Sequence, residues 1–262
     1  MDRALGIVEF LAGRAGGAAL AEISDALAIP RSATHRLLAD LRDEGLVRQE
    51  YDGGAYRLTA KIVSYGLSYL TAAGATEHVL PLIDELAEAT GELVVLAAVD
   101  GDRLLRIAKA QGAKRGLLYN PDEGSEVYLP ATSNGHAWLS CLSEERALQL
   151  VARQGFDRDG YGPNAPKTIK ELVAILRAAR KQGYAKIFET YEAGTSAVAT
   201  PIIPPTRRTP IGTISVAGPS FRMTDAQLEQ IAPTLIETAR KVASVGSALP
   251  IFFGAMSGSH HV

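Results

Sequence analysis

"IPRSATHRLLADLRDEGLVRQEYDGGAYRLT", residues 29–59, decides how the N-terminal part of this chain folds. Pro30 biases Ile29 out of the α region, so a helix begins beyond it. From Ser32 to about Glu44, Ala33, Leu37, Leu38 and Leu41 recur on one face, which predicts an amphipathic helix. Gly45 ends it as a C′ glycine. "LVRQE" and "AYRLT" then flank "YDGG", and Asp-Gly or Gly-Gly between two such runs predicts a hairpin. Arg31, Ser32, Thr34, His35 and Arg36 crowd the start of the helix, and no acidic residue lies between Ile29 and Ala39.

Working upstream, "RALGIVEFLA" (3–12) places Ala4, Ile7, Val8 and Leu11 on one helical face, and "LAEISDALAI" (20–29) does the same with Leu20, Ile23, Ala26 and Leu27. A Gly-rich break, "GRAGGA", separates them. The order helix, helix, helix, hairpin over residues 1–59 predicts a winged helix-turn-helix. Downstream, "AKIVSYGLSYLTAAG" (60–74) reads as an apolar linker helix. Residues 75–250 read as helix 77–91, strands "ELVVLAAV" and "RLLRIAKA" around "DGD", and a strand running into a helix over 124–143. Helices at 143–154 and 167–182, strands at 194–203 and 209–218, and a closing helix at 224–246 complete it. That makes an α+β domain. The ending, 251–262, is small and polar and is expected to be a disordered tail.

Composition narrows the class. The chain has 262 residues, 47% hydrophobic and 21% charged, with a formal net charge of −2. The single cysteine, Cys141, rules out a disulfide framework or a Cys-based zinc site within one chain. The start, "MDRALGIVEF", has no apolar leader core, and the longest apolar run, "LVVLAAV", is too short to span a bilayer. A cytoplasmic protein with no membrane partner and no cofactor is expected.

The helix at 32–44 meets the demands of the DNA major groove, which admits a helix and shows base edges with a full donor and acceptor code. Its apolar stripe docks inward. Its first turn offers Arg31, Ser32, Thr34, His35 and Arg36 beside free amides that favour phosphate. Arg48 and Arg57 stand on the hairpin, where a wing lies along the DNA backbone. The alternative is a solvated helix face: residues 1–59 carry seven arginines against nine carboxylates, so the segment is not basic overall. Two further classes stay open. An enzyme would need a motif that is absent here: no GxSxG, HExxH or P-loop occurs. A purely oligomerising interaction protein is the other.

"RALGIVEFLA", "LAEISDALAIPRSATHRLLADLRDEGLVRQ" and "YRLT" resemble the winged helix-turn-helix of IclR-type bacterial transcriptional regulators. The resemblance continues through "ELAEATGELVVLAAVDGDRLLRI", "ATSNGHAWLS", "GYAKIFETYEAGTSAVATPI" and "IGTISVAGP", nearly the whole chain. It implies a dimerising DNA-binding domain, a linker helix and a C-terminal GAF-like α/β effector-binding domain. It also implies a homodimer or dimer of dimers on double-stranded DNA at a pseudo-palindromic operator, and a small organic acid as effector.

In that family small acids sit against the loop opening the helix of the "ATSNGHA" block, here Ser133, Asn134 and Gly135. Members that bind short keto acids add an Asp, a Cys and two Ser. Alignment through Gly183 and Gly194 puts Ile187 at the Asp and Ala197 at the Cys. Alignment through Gly218-Pro219 puts Ser215 and Ala217 at the two Ser. Three of the four polar anchors are thus apolar. A hydrogen bond to a charged group is worth about 1.5–3 kcal/mol, so the pattern predicts one carboxylate on an apolar or aromatic body. The alternative is that Ile187, Ala197 and Ala217 are ordinary core. Cys141 and Trp138 read as packing residues, and His136 as a surface helix residue or one leaning toward a ligand's acid.

Overall fold

The computed structural model describes residues 2–51, 53–114, 125–156 and 161–246. The chain divides into two compact units, Met1–Ala72 and Ala73–Val262.

In the first unit α1 (Asp2–Ala12), α2 (Leu20–Ala26) and α3 (Arg31–Asp43) precede a two-stranded antiparallel wing of β1 (Val47–Gln49) and β2 (Tyr56–Leu58), and α4 (Ala60–Ala72) closes the unit. The three helices bury one stripe each. Ile7 and Leu11, Ile23, and Leu38 and Leu41 meet Val47 and Tyr56 in a single core, and burying such a side chain contributes about 1.5–3 kcal/mol. The turn between α2 and α3 is fixed by polar atoms. Ser24 Oγ donates to the Ile29 carbonyl at 2.6 Å, and Ala28 takes a left-handed φ of 51° to bring that carbonyl round. α3 starts one residue earlier than the sequence predicts, with Pro30 as its N-cap.

The second unit is a five-stranded sheet with helices on both faces. β3 (Leu93–Asp100), β4 (Arg103–Gln111), β5 (Ala185–Phe188), β6 (Thr195–Ile202) and β7 (Gly212–Pro219) pair antiparallel in the order β4-β3-β7-β6-β5. α5 (Ala75–His78) and α6 (Leu80–Thr90) precede the strands, α7 (Ser133–Leu139), α8 (Glu144–Gln154) and α9 (Ile169–Gln182) run between β4 and β5, and α10 (Asp225–Gly246) follows β7. Alternation in the strands explains the two cores. Val94, Leu96 and Ala98 face α6 and α10, whereas Ala97 and Val99 face Trp138 of α7, Leu150 of α8 and Leu172 of α9. Glu92 and Arg222 join the turn before β3 to the turn after β7 by a two-pronged ion pair, Nε–Oε1 at 2.6 Å and Nη2–Oε2 at 2.9 Å.

Several elements differ from the sequence reading. The helix expected at 77–91 is two pieces, because Pro81 lacks the N–H that would continue α5 into α6. No strand forms at 125–132. Val127 N–H donates to the Leu104 carbonyl and Arg106 N–H to the Ser125 carbonyl, but the segment then leaves β4 and is held instead by Gln154, whose side chain accepts from Leu129 N–H and donates to the Val127 carbonyl. β5 carries no strand signal in the sequence: four residues interrupted by Lys186 show no usable alternation. The expected linker helix 60–74 ends at Ala72. The expected tail, 251–262, lies outside the described residues.

Candidate nucleic-acid interface and ligand cavity

On α3, Arg31, Ser32, His35 and Arg36 are exposed together at the N-terminal end, with no ion-pair partner among the described residues. Thr34 is not with them. It is fully buried, its Oγ1 donating to the Pro30 carbonyl at 3.2 Å, so it tightens the helix start and presents nothing outward. On the wing, Arg48 and Arg57 stand opposite each other in register. Arg48 is exposed. Arg57 is half-buried and already engaged, Nε to the Gly16 carbonyl at 2.8 Å and Nη1 to Glu50. Among the described residues the wing therefore offers one free guanidinium, Arg48, and not two.

In the second unit a cavity of about 40 Å³ lies between the sheet and the start of α7. Ser133, Asn134, Ile187, Ala197, Ser215 and Ala217 all line it. The strand register explains why residues so far apart in sequence converge: Ile187 pairs with Ala197, and Ala197 with Ala217, so the three form one row across β5, β6 and β7. The row packs with Tyr191 as a small apolar cluster. Ser215 is further along β7, opposite Val95 of β3. Asn134 ties α7 to the sheet, its Nδ2 donating to Ser215 Oγ and its Oδ1 accepting from Thr213 Oγ1, both at 2.8 Å. The Thr132 side chain caps the helix by accepting from Gly135 N–H at 3.0 Å. The Ser133 and Asn134 amides have no such acceptor among the described residues. Gly135 does not line the cavity. A Cβ there would stand 2.4 Å from the Leu129 carbonyl oxygen, so this glycine lets α7 pass against that backbone.

Six lining residues, Val95, Arg106, Thr132, Tyr191, Thr195 and Ser196, escaped the sequence reading, and two of them bring a large ring or a charge. Tyr191 is half-buried, its ring 5.6 Å from that of Tyr161, which in turn stacks on Tyr128 at 4.4 Å. Arg106 is 8% exposed and brings a positive charge to the cavity. The spacing "YEAG" gives no hint of the first.

His136 is corrected: it is fully buried, as is the whole of α7. The helix is covered by the sheet on one side and α9 on the other, so it has no surface face. A signal existed, since no Asp, Glu, Lys or Arg occurs between Glu126 and Glu144. Nε2 lies 2.7 Å from the Pro130 carbonyl and must carry the proton, which leaves Nδ1 buried without a partner. Burial of the ring lowers its pKa to about 4, against a smaller opposing effect of the Pro130 carbonyl. Trp138 is buried in the α7–α9 core. Burial pushes the Cys141 thiol up, as expected of a packing cysteine and not of a nucleophile.

A winged helix-turn-helix joined in one chain to a separate sheet domain with a polar-ended cavity defines a DNA-binding regulator. The family model for the bacterial transcriptional regulator IclR C-terminal domain matches residues 67–256, and that for the IclR helix-turn-helix domain matches residues 1–50. The chain belongs to the IclR family of bacterial transcriptional regulators. It is 30% identical over 243 residues to the acetate operon repressor of Salmonella typhimurium, covering 92% of this chain and 88% of the relative. An IclR transcriptional regulator from Alicyclobacillus acidocaldarius shares the fold with a TM-score of 0.80 at 23% identity, covering 93% of this chain and 96% of that one. An IclR homologue from Microbacterium hydrocarbonoxydans complexed with 4-hydroxybenzoate does so with a TM-score of 0.75 at 19% identity, covering 94% and 98%. The relatives are named as regulators and repressors, not enzymes, so the enzyme alternative is set aside. No helix among the described residues is long and apolar enough to cross a membrane.

Proposed function

We propose that this chain is a cytoplasmic, ligand-responsive regulator that binds a pseudo-palindromic operator as a homodimer or dimer of dimers. In this reading its DNA affinity is set by a small carboxylic acid with a largely apolar or aromatic body. The observation that carries the ligand class is the polarised cavity. Its polar end holds Ser133, Asn134 and Ser215, and the Ile187–Ala197–Ala217 row lies under Tyr191, where the Thr195 and Ser196 hydroxyls that also line the cavity are engaged with the Glu192 carbonyl and the Ser220 hydroxyl. Free amides favour a carboxylate, whereas the row offers a short keto acid no hydrogen bond. A protein of this fold complexed with 4-hydroxybenzoate keeps aromatic acids within the fold's range. The free cavity, about 40 Å³, is well below the ~150 Å³ void that takes benzene. An aromatic body therefore enters with a displacement of Tyr191. Calorimetry with benzoate against pyruvate and glyoxylate tests the reading. A wild type that prefers a short keto acid overturns it.

The DNA-binding set in this reading is Arg31, Ser32, His35 and Arg36 with Arg48 on the wing. Arg31→Ala and Arg36→Ala are each expected to weaken operator binding by about 1–3 kcal/mol, with specificity relaxed at one base if the side chain reads an edge and uniformly if it holds phosphate. Mobility shifts on an operator and its point variants, with circular dichroism to verify the fold, check this. Unchanged affinity in both variants would remove α3 from the reading role.

The dimer is argued from α4. None of its residues is buried, yet Val63, Tyr65, Leu67 and Tyr69 are each more than half exposed, with 63 and 67 on one stripe and 65 and 69 on another. Lys61, Ser64, Ser68 and Thr71 form a polar stripe, so the exposed apolar residues leave one side of the helix to be covered, and a second copy covers it symmetrically. The double change Val63→Asp, Leu67→Asp is expected to give a monomer in sedimentation at micromolar concentration, with operator affinity falling accordingly, because two half-sites need two reading helices. A variant that remains dimeric places the interface elsewhere.

A further inference from the structure

We infer that Arg106 is the charge partner of the acid that the cavity binds, gripping its carboxylate side-on through Nε and Nη2. The inference rests on the reading of the cavity as a ligand site and specifies which chain group selects the anion. Arg106 lines the cavity at 8% exposure, and no acidic residue lines it. Nη1 is committed, donating to Ser125 Oγ at 2.8 Å and toward the Glu126 carbonyl at 3.3 Å. Nε and Nη2 take no partner among the described residues, and no carboxylate there pairs with this guanidinium. A buried cation without a counter-charge is costly. A guanidinium offers two parallel N–H groups that match a carboxylate. This chain uses that same Nε/Nη2 edge twice elsewhere, Arg222 on Glu92 and Arg177 on Glu144, with contacts of 2.6–3.0 Å.

The backbone aims the side chain. Leu96 of β3 pairs with Ala108, but Ala97 pairs with Arg106, so Ile107 is an extra residue in a β-bulge. Ala108 and Ala110 face α6 and α10, and unbroken alternation would turn Arg106 the same way. The bulge reverses it to the side of Ala97, toward α7 and the cavity. Bulges commonly re-aim a side chain beside a functional site. The strand order then sets the polarity, with Arg106 near Val95 and Ser215 and the apolar row toward the opposite edge of the sheet.

The test is calorimetry of the full chain, as wild type, Arg106→Met and Arg106→Lys, with sodium benzoate and with benzamide. Arg106→Met is expected to weaken benzoate on the order of 10- to 100-fold while leaving benzamide within about threefold, so that the preference for the anion disappears. Arg106→Lys, a point charge without the fork, falls between. Benzoate affinity within about threefold of wild type in Arg106→Met overturns the inference. Trp138 fluorescence verifies folding, and Arg106→Gln serves in the same titrations if the Met variant does not fold. A thermal-shift comparison of acetate with chloride at equal ionic strength separates this inference from the ligand reading, since acetate has almost no apolar body. A wild type that ignores benzoate but is stabilised by acetate, with that response lost in the variant, keeps Arg106 as the anion's partner and discards the apolar-body reading. Equal responses of wild type and variant to both anions, or no response of the wild type to either, overturn the assignment.

Discussion

Between pH 6.5 and pH 4 the second unit is expected to lose about 3 kcal/mol of stability through His136 alone. The ring is held neutral in the folded state by burial, with a pKa of about 4 against 6.5 when exposed. In that window the unfolded chain binds a proton that the native chain does not, so stability falls as the pH falls. The gap, at about 1.4 kcal/mol per pH unit, gives the figure. The loss is complete near pH 4 and absent above about pH 7. Trp138, the only tryptophan, lies two residues away in the same core and reports the transition in urea. His136→Gln keeps a donor for the Pro130 carbonyl but cannot titrate, so its stability should be lower at pH 7 yet flatter toward pH 4. Parallel pH profiles for wild type and variant would show that the loss arises elsewhere, in carboxylates such as Glu144 that ion pairs hold below their ordinary range.

Ile187→Asp is expected to abolish binding of an apolar carboxylate, by at least about 3 kcal/mol or more than 100-fold. Ile187 begins the row Ile187–Ala197–Ala217, and an aspartate there sets an anion against the apolar body and in the same small cavity as the ligand's own carboxylate. Two like charges in a poorly hydrated site repel strongly, and each loses hydration. Ile187→Ala, which only removes contact area, should cost a smaller amount, near 25 cal/mol per Å² of apolar surface lost. Calorimetry with benzoate on the three proteins measures the series. Binding retained in Ile187→Asp would move the ligand's body away from the row.

The DNA-binding unit was readable because each of its elements carries its own local signal: a stripe at helical spacing, Pro30 before α3, Gly45 at a φ of 69° after it, and turn residues between β1 and β2. Thr34 escaped because a hydroxyl at the start of a helix can serve either DNA or its own backbone, and only packing decides between them. In the second unit Ser133, Asn134, Ile187, Ala197, Ser215 and Ala217 were found through family resemblance; their meeting in one cavity depends on strand register, which no local pattern encodes. The place of His136 is not legible in the periodicity of the sequence because the rule of one buried face fails for a helix covered on both sides. Arg106 was invisible because the alternation that normally assigns a strand residue to a face is broken between Ala108 and the residue itself.

The bulge makes the electrical sign of the cavity a matter of backbone parity. Leu105, Arg106 and Ile107 are consecutive, and which of them looks toward α7 depends on one unpaired residue in β4, an edge strand. Deleting Ile107 itself would leave Arg106 opposite Ala97, but deleting Leu105 would let the strand close up without its bulge and bring Ile107 opposite Ala97 in place of the cation, while the apolar row keeps its register through β6 and β7. A domain built this way can pass from anionic to neutral ligands by one indel at the margin of the sheet, with its two cores left as they are.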